Sequence, residues 1–262
     1  MEPLIGIVVA LGAILLGNLL EGGHASSIVG GPAMMIVLGG TVGAVLVQFP
    51  LATFAAALKA GAGTFKKGGY DNGKLVEEIV DYANRARRDG ILALEKVAGE
   101  VSDPFLAKAL TMAVDGVDSA TLRDTMEVTI GQHEEHGEDA AKVWEALGGY
   151  APTIGIIGAV LSLIHVMSNL SDIAAVGAGI AAAFVATIYG VALANILFLP
   201  MGGRIKMRVR EEATSRVLML TGVLAIQEGM NPKLVRDRLS EFVHDHGGKG
   251  KAHAGAPAAA NA

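Results

Sequence analysis

Residues 150–167 read YAPTIGIIGAVLSLIHVM, and residues 173–199 read IAAVGAGIAAAFVATIYGVALANILFL, followed by Pro200. Apart from His165, neither run holds an acid or a base. A helix needs about 20 mostly apolar residues to cross the hydrocarbon of a bilayer, so both runs are long enough. Read as a membrane hairpin, they put Pro152 and Pro200 on the same side of the bilayer and Thr187 near the middle of the second helix. That arrangement suggests an ion-handling pair of helices rather than a plain anchor.

Two further apolar runs, 3–20 and 28–49, come first. The first is not expected to be a signal peptide. The start Met1-Glu2-Pro3 lacks a basic segment, and a second span follows within a few residues. The loops 21–27 and 168–172 contain no Lys or Arg, whereas Lys59, Lys66, Lys67 and Lys74 follow the second span. Arg204, Lys206, Arg208 and Arg210 follow the fourth. Positively charged flanks stay in the cytoplasm, which places both termini and the long middle region inside. The fold expected is therefore an all-α integral membrane protein with four transmembrane helices. A first hairpin (1–50) leads to a cytoplasmic helical domain (51–149), a second hairpin (150–200) and cytoplasmic C-terminal helices (201–246). The Gly/Ala-rich stretch 247–262 is expected to lack structure.

Composition agrees with a chain split between membrane and water. It is 52% hydrophobic and 18% charged, with a mean hydropathy of +0.47. A formal charge of −5 argues against nucleic acid as a partner, and the absence of cysteine removes disulfides and thiolate metal sites. The 35 glycines show no collagen period and suit closely packed membrane helices.

The extramembrane segments carry helical periodicity. Asp71 or Asn72 can cap a helix bearing Leu75, Ile79 and Tyr82, and Gly90 should bend or interrupt it. Pro104 after Asp103 starts a helix with Leu106, Leu110 and Val114. Ser119 opens another through Leu122, Met126 and Ile130 toward Trp144 and straight into the third span. Asn231-Pro232 begins a last amphipathic helix with Leu234, Leu239 and Val243.

Charged side chains inside membranes mark most ion pathways, and the four spans contain no Asp, Glu, Lys or Arg. Any titrating carboxylate must come from another chain; otherwise these are packing helices. Small residues recur at close spacing: Ala182, Ala186, Gly190 and Ala194 in the fourth span, Gly39 and Gly43 in the second, Gly155 and Ala159 in the third. Such faces let helices approach closely. Pro152 and Pro200 read either as helix-end punctuation or as hinges at the cytoplasmic mouth. Thr187 can bond its own helix backbone or offer a hydroxyl to a passing ion. His133-Glu134-Glu135-His136 has its histidines three apart rather than four and reads as a solvated face. His165 reads as an interfacial residue, and His244, His246 and His253 form no recognisable site. No phosphate-binding loop or nucleophile triad is present, so an enzyme is not expected.

Several stretches together resemble the MotA/PomA family, the A subunits of the bacterial flagellar stator. They are residues 22–28 with 39–44, the charged segment 87–95 (RRDGILALE), residues 151–160 (APTIGIIGAV) and residues 183–190 (AFVATIYG). The resemblance implies a homo-oligomeric ring, a pentamer, in the bacterial inner membrane. The ring surrounds a dimer of B subunits whose single spans supply the missing aspartate. It also implies contact with the rotor's switch protein through Arg87 and Glu95, with Arg88 beside them. Seven residues from Glu95, Arg88 should share its helix face better than Arg87 does. Pro152 and Pro200 match prolines linked to conformational coupling, and Thr187 matches a threonine facing the ion path. Sodium-driven members tend to carry hydroxyls where Ala159 and Ala186 stand. Sodium needs oxygen ligands, so alanine at both positions favours H⁺ over Na⁺. No cofactor is implied, and membrane lipid is the surrounding partner. The alternatives are a proton-driven ring subunit of the ExbB/TolQ type, which usually has three spans, and a solute transporter or membrane scaffold. A transporter should show intramembrane polar residues or repeated broken helices, and neither is evident.

Overall fold

In the computed structural model, residues 2–66, 68–168 and 170–244 are described, without the side chain of His244. Lys67, the histidines at 246 and 253 and the stretch 247–262 lie outside the described residues. All regular structure among those described is helical. Four helical stretches are long and apolar enough to cross a membrane: Glu2–Leu20, Ala25–Gln48, Ser119–Met167 and Ile173–Gln227. The chain forms two compact units, one of residues 1–69 and 129–213, the other of residues 70–128 and 214–262.

The first unit holds the membrane helices. Helix α1 (Glu2–Leu20) spans 19 residues, about 28 Å, close to the thickness of the hydrocarbon. None of its residues is buried within the chain. A single 3-10 turn, Ala25–Ile28, precedes α2 (Gly31–Gln48), which starts three residues later than the apolar pattern suggests. Gly30 is extended there, and Pro32 occupies the first turn. Pro50 separates α2 from a shorter apolar helix, α3 (Leu51–Gly63). The buried side of α2 is Ala33, Val37, Thr41 and Val45, the period of a helix stripe.

The second unit contains α4 (Asn72–Asp89), α5 (Glu95–Glu100) and α6 (Pro104–Val114), with the start of α7 (Ser119–Met167), the end of α9 (Leu199–Gln227) and α10 (Pro232–His244). Its core is built from the periodic residues, with Leu75, Ile79, Tyr82, Leu106, Leu110, Leu122 and Met126 all buried. Helix α10 departs from expectation by one position. Leu234 is exposed, and Val235 packs inward with Leu239, because Pro232, Val235 and Leu239 share one face of the helix. Gly222 of α9 fits between Ile79 and Leu239; a Cβ there would lie 2.6 Å from the Ile79 methyl.

Local chemistry sets the helix ends. Asp71, rather than Asn72, caps α4 by accepting from the Lys74 N–H at 3.2 Å. Asn72 is buried and its Oδ1 accepts from the Ser215 hydroxyl at 2.7 Å. Asp103 accepts from the N–H groups of Phe105 and Leu106, both at 2.9 Å, and its other oxygen accepts from the Tyr70 hydroxyl at 2.6 Å. Burial and that carboxylate together push the Tyr70 phenol up to about 12. One side chain thus starts α6 and anchors the segment entering α4. Asp103→Ala is expected to lower stability by about 1 kcal/mol, the usual cost of losing a helix cap. Thermal unfolding of the purified chain would show it, and an unchanged midpoint would contradict it.

Candidate functional site

The third and fourth spans pack antiparallel with little side-chain volume between them. A Cβ built on Gly155 would lie 2.9 Å from the Ala186 carbonyl oxygen and 3.2 Å from the Gly190 Cα. One on Gly190 would lie 2.5 Å from the Ala151 carbonyl oxygen and 3.2 Å from the Pro152 Cα. One on Gly158 would sit 3.1 Å from the Ala186 methyl. Backbone therefore meets backbone over two turns. Of the small residues in the fourth span, Ala186, Gly190 and Ala194 are buried and Ala182 is exposed. Gly39 and Gly43 of α2 have open space where a Cβ would go, so they mediate no contact within the chain. Gly40 is the close one, against Ile154 of α7.

This packing puts Ala159, Ala186 and Thr187 at one level, because Gly158 lies against Ala186. Ala186 is buried, while Ala159 and Thr187 are half-buried. The Thr187 hydroxyl donates to the Ala183 carbonyl one turn back, at 3.2 Å, so its proton is already placed. On the outer faces of the pair the walls are bare: Ile156, Ile157, Val160, Leu161, Ile164, Ile173, Ile180 and Phe184 are exposed. His165 is exposed there as well.

Neither proline ends a helix, contrary to the punctuation reading. Pro152 lies inside α7, which runs unbroken from Ser119 to Met167. Pro200 lies one residue into α9, directly after a π-helical turn, Leu193–Phe198, that joins it to α8 (Ile173–Ala192). A proline clashes with the carbonyl four residues back and gives it no N–H, and a widened turn relieves that clash. Gly148 packs against Leu199, so Pro200 lies deeper toward the charged flank than Pro152, which is level with Gly190.

Three features were not legible in the sequence. Tyr189 donates to the Ile28 carbonyl at 2.6 Å and accepts from the Gly30 N–H at 2.9 Å, tying the start of α2 to the middle of the fourth span. Thr41 is buried, and its hydroxyl has no partner among the described residues. His133, read as part of a solvated face, donates to Glu212 at 2.9 Å. Glu212 also accepts from Arg208, whose other nitrogen donates to the Gly63 carbonyl at 2.7 Å. His136 bonds the Gln132 carbonyl instead, so the two histidines do not converge. No sequence signal predicts these pairings, since 79 positions separate His133 from Glu212.

In the second unit the segment 87–95 is not one helix. Gly90 ends α4 with φ +85 and ψ 162, a conformation open essentially to glycine alone. A short 3-10 turn, Ile91–Leu94, intervenes before Glu95 opens α5. Arg88 and Glu95 therefore share no helix face, contrary to their seven-residue spacing. Arg88 instead forks onto its neighbour Asp89, at 3.1, 3.0 and 2.9 Å, which pushes its pKa further up. Arg87 and Glu95 are exposed and have no ion-pair partner among the described residues.

Residues 4–88 match the profile described as Motility protein A N-terminal, and residues 97–217 match the MotA/TolQ/ExbB proton channel family. The chain is 34% identical to Motility protein A of Bacillus subtilis over 245 residues, 92% of this chain and 89% of that one. It is 31% identical to the chemotaxis protein PomA of Vibrio alginolyticus, covering 94% and 96%. A chain of the C. jejuni MotAB structure superposes with a TM-score of 0.88 at 31% identity, covering 92% and 94%. One from the flagellar MotAB stator complex of Bacillus subtilis gives 0.85 at 33%, with the same coverage.

Gly190→Val would place methyls against the Ala151 carbonyl and Pro152, and should destabilise the chain by about 1–3 kcal/mol through overpacking. Gly39→Ala, facing open space, should stay within about 0.5 kcal/mol of the parent. Thermal unfolding of both variants in detergent checks this, and equal midpoints would refute the backbone contact.

Proposed function

This chain belongs to the MotA/PomA family, and from that premise we propose that it works as the A subunit of a flagellar stator that turns ion flow into torque. The observation that carries the reading is the bare, uncharged wall of the α7–α8 pair. A wall without a carboxylate can line a pathway but cannot relay a proton, so its partner must bring the acid. The matched structures are of MotAB complexes, which supports a B subunit as that partner. The match of residues 4–88 to the motility N-terminal profile favours this over an ExbB/TolQ-type ring subunit.

In this mechanism several copies of the chain form a ring, a pentamer, around the B helices in the inner membrane, with both termini in the cytoplasm. The partner's carboxylate takes and releases an ion at the level of Ala159, Ala186 and Thr187. Methyl groups at 159 and 186 offer no oxygen to a dehydrated Na⁺, which supports H⁺ as the coupling ion. Since Thr187 already donates to Ala183, only its oxygen lone pairs face the pathway. Charge neutralisation of the carboxylate changes how its helix sits against the wall. Pro152 and the π turn before Pro200 supply the two places where the wall's helices bend with little loss of bonding.

Torque passes to the rotor's switch protein through exposed charges. Arg87 and Glu95 suit this better than Arg88, because Asp89 already engages the Arg88 guanidinium. An ion pair on the surface is worth only about 0–1 kcal/mol, which suits contacts made and broken at each step.

In cells lacking this gene and any second stator, filaments should assemble without swimming, and the restored chain should give a speed that is indifferent to sodium at fixed pH. Speed rising steeply with sodium would overturn proton coupling. Arg87→Glu and Glu95→Lys should each lower swimming at unchanged membrane levels, more than Arg88→Glu does. A larger defect from the Arg88 variant would reverse the assignment.

A further inference from the structure

Beside α1 the first unit contains a groove distinct from the α7–α8 wall. Gly6, Ile7 and Ala10 of α1 form one wall, and Ile196, Pro200 and Met201 form the other, enclosing about 580 Å³. It is unfilled at its apolar end: a Cβ on Gly6 would meet nothing within 4 Å. The groove shares Glu2, Arg204 and Met207 with a second cavity of about 210 Å³, which adds Lys66, Arg208 and Glu211. An apolar slot along a membrane helix thus opens into a pocket with three bases and two acids, at the flank where the span gives way to water.

We propose that this groove is a binding site for an anionic phospholipid carrying one negative charge, with an acyl chain along Gly6, Ile7 and Ala10 and its phosphate held by Lys66 and Arg204. Arg208 is engaged by Glu212 and the Gly63 carbonyl, which leaves Lys66 and Arg204 to face one phosphodiester. Lys66 is exposed, with no ion-pair partner among the described residues, and is free to take the phosphate. Arg204 presents a planar fork suited to phosphate oxygens. Its present partner is Glu2 at 3.1 Å, whose side chain is 83% exposed and stands in the first turn of α1, where a phosphate can displace it. Basic pockets beside membrane helices select acidic headgroups in this way.

Charge argues against a second copy of this chain as the occupant. Copies in one bilayer sit at equal depth, so a neighbour would bring its own exposed Lys59 and Lys66 to the same level. Like charges would then face each other across the groove. The site depends on membrane embedding and not on ion coupling or rotor contact, so a lipid readout fails or succeeds apart from any motility result.

The test uses the full-length chain purified with its B subunit, exposed to equal amounts of phosphatidylglycerol and phosphatidylcholine with the same acyl chains. Retained lipid is counted by native mass spectrometry. The expected result is a preference for phosphatidylglycerol of roughly thirtyfold, from two basic side chains at about 1 kcal/mol each. The double variant Lys66→Gln, Arg204→Gln should abolish that preference. Gly6→Leu, whose Cβ enters open space at the groove wall, should lower retention of both lipids. Equal retention by the parent chain, or a preference untouched by the double variant, overturns the proposal. So does a Gly6→Leu chain that keeps its lipid but loses its oligomeric state, which would assign the groove to a second copy.

Discussion

Backbone-to-backbone contact between α7 and α8 is the constraint on which the first unit depends. Gly155, Gly158, Ala186 and Gly190 leave no side-chain layer at the crossing, so the two helices approach as closely as helices can. In hydrocarbon there is no water to expel from between helices. The attraction must come from dispersion, which falls steeply when surfaces part by even a fraction of an ångström. The larger side chains beside the crossing are consequently pushed to the periphery. That is why Ile156, Ile157, Val160 and Phe184 stand bare on the outside, ready for partner helices. The same crossing sets the depth at which Ala159, Ala186 and Thr187 meet.

Below that crossing the packing changes character. Trp144, Leu147, Phe198, Met201 and Ile205 form a thicker core, with the Trp144 N–H donating to the Ala57 carbonyl at 2.8 Å. Large rings need room, and the π turn at Leu193–Phe198 supplies it while absorbing Pro200. A tight crossing above thus meets a bulky core below within one pair of helices. Pro152 and the π turn mark that zone from the two sides. The π turn is where the two packing styles meet.

Periodicity and charge distribution made much of this chain legible. Four apolar runs, asymmetric basic flanks and the stripe Leu75, Ile79, Tyr82 lead directly to four long apolar helices and a helical second unit. The exceptions have local causes. Leu234 yields to Val235 because Pro232 sets the inward face of α10. Arg88 and Glu95 do not share a helix because Gly90, at positive φ, ends α4 between them. Gly39 and Gly43 look like a contact face but open onto space, because small residues permit an approach without specifying which neighbour makes it.

The sequence by itself determined which stretches are helical, which are apolar, and that no carboxylate lies within the spans. Each of these depends on residues a few positions apart, where backbone geometry alone sets the relation. Only the tertiary structure decided that Tyr189 holds Ile28 and Gly30, that His133 reaches Glu212, and that Gly6 borders an open groove ending at Arg204. Those facts join positions far apart in the chain. They are set by which helix lies beside which, and by the spaces left between them, and that information resides in packing rather than in any local pattern.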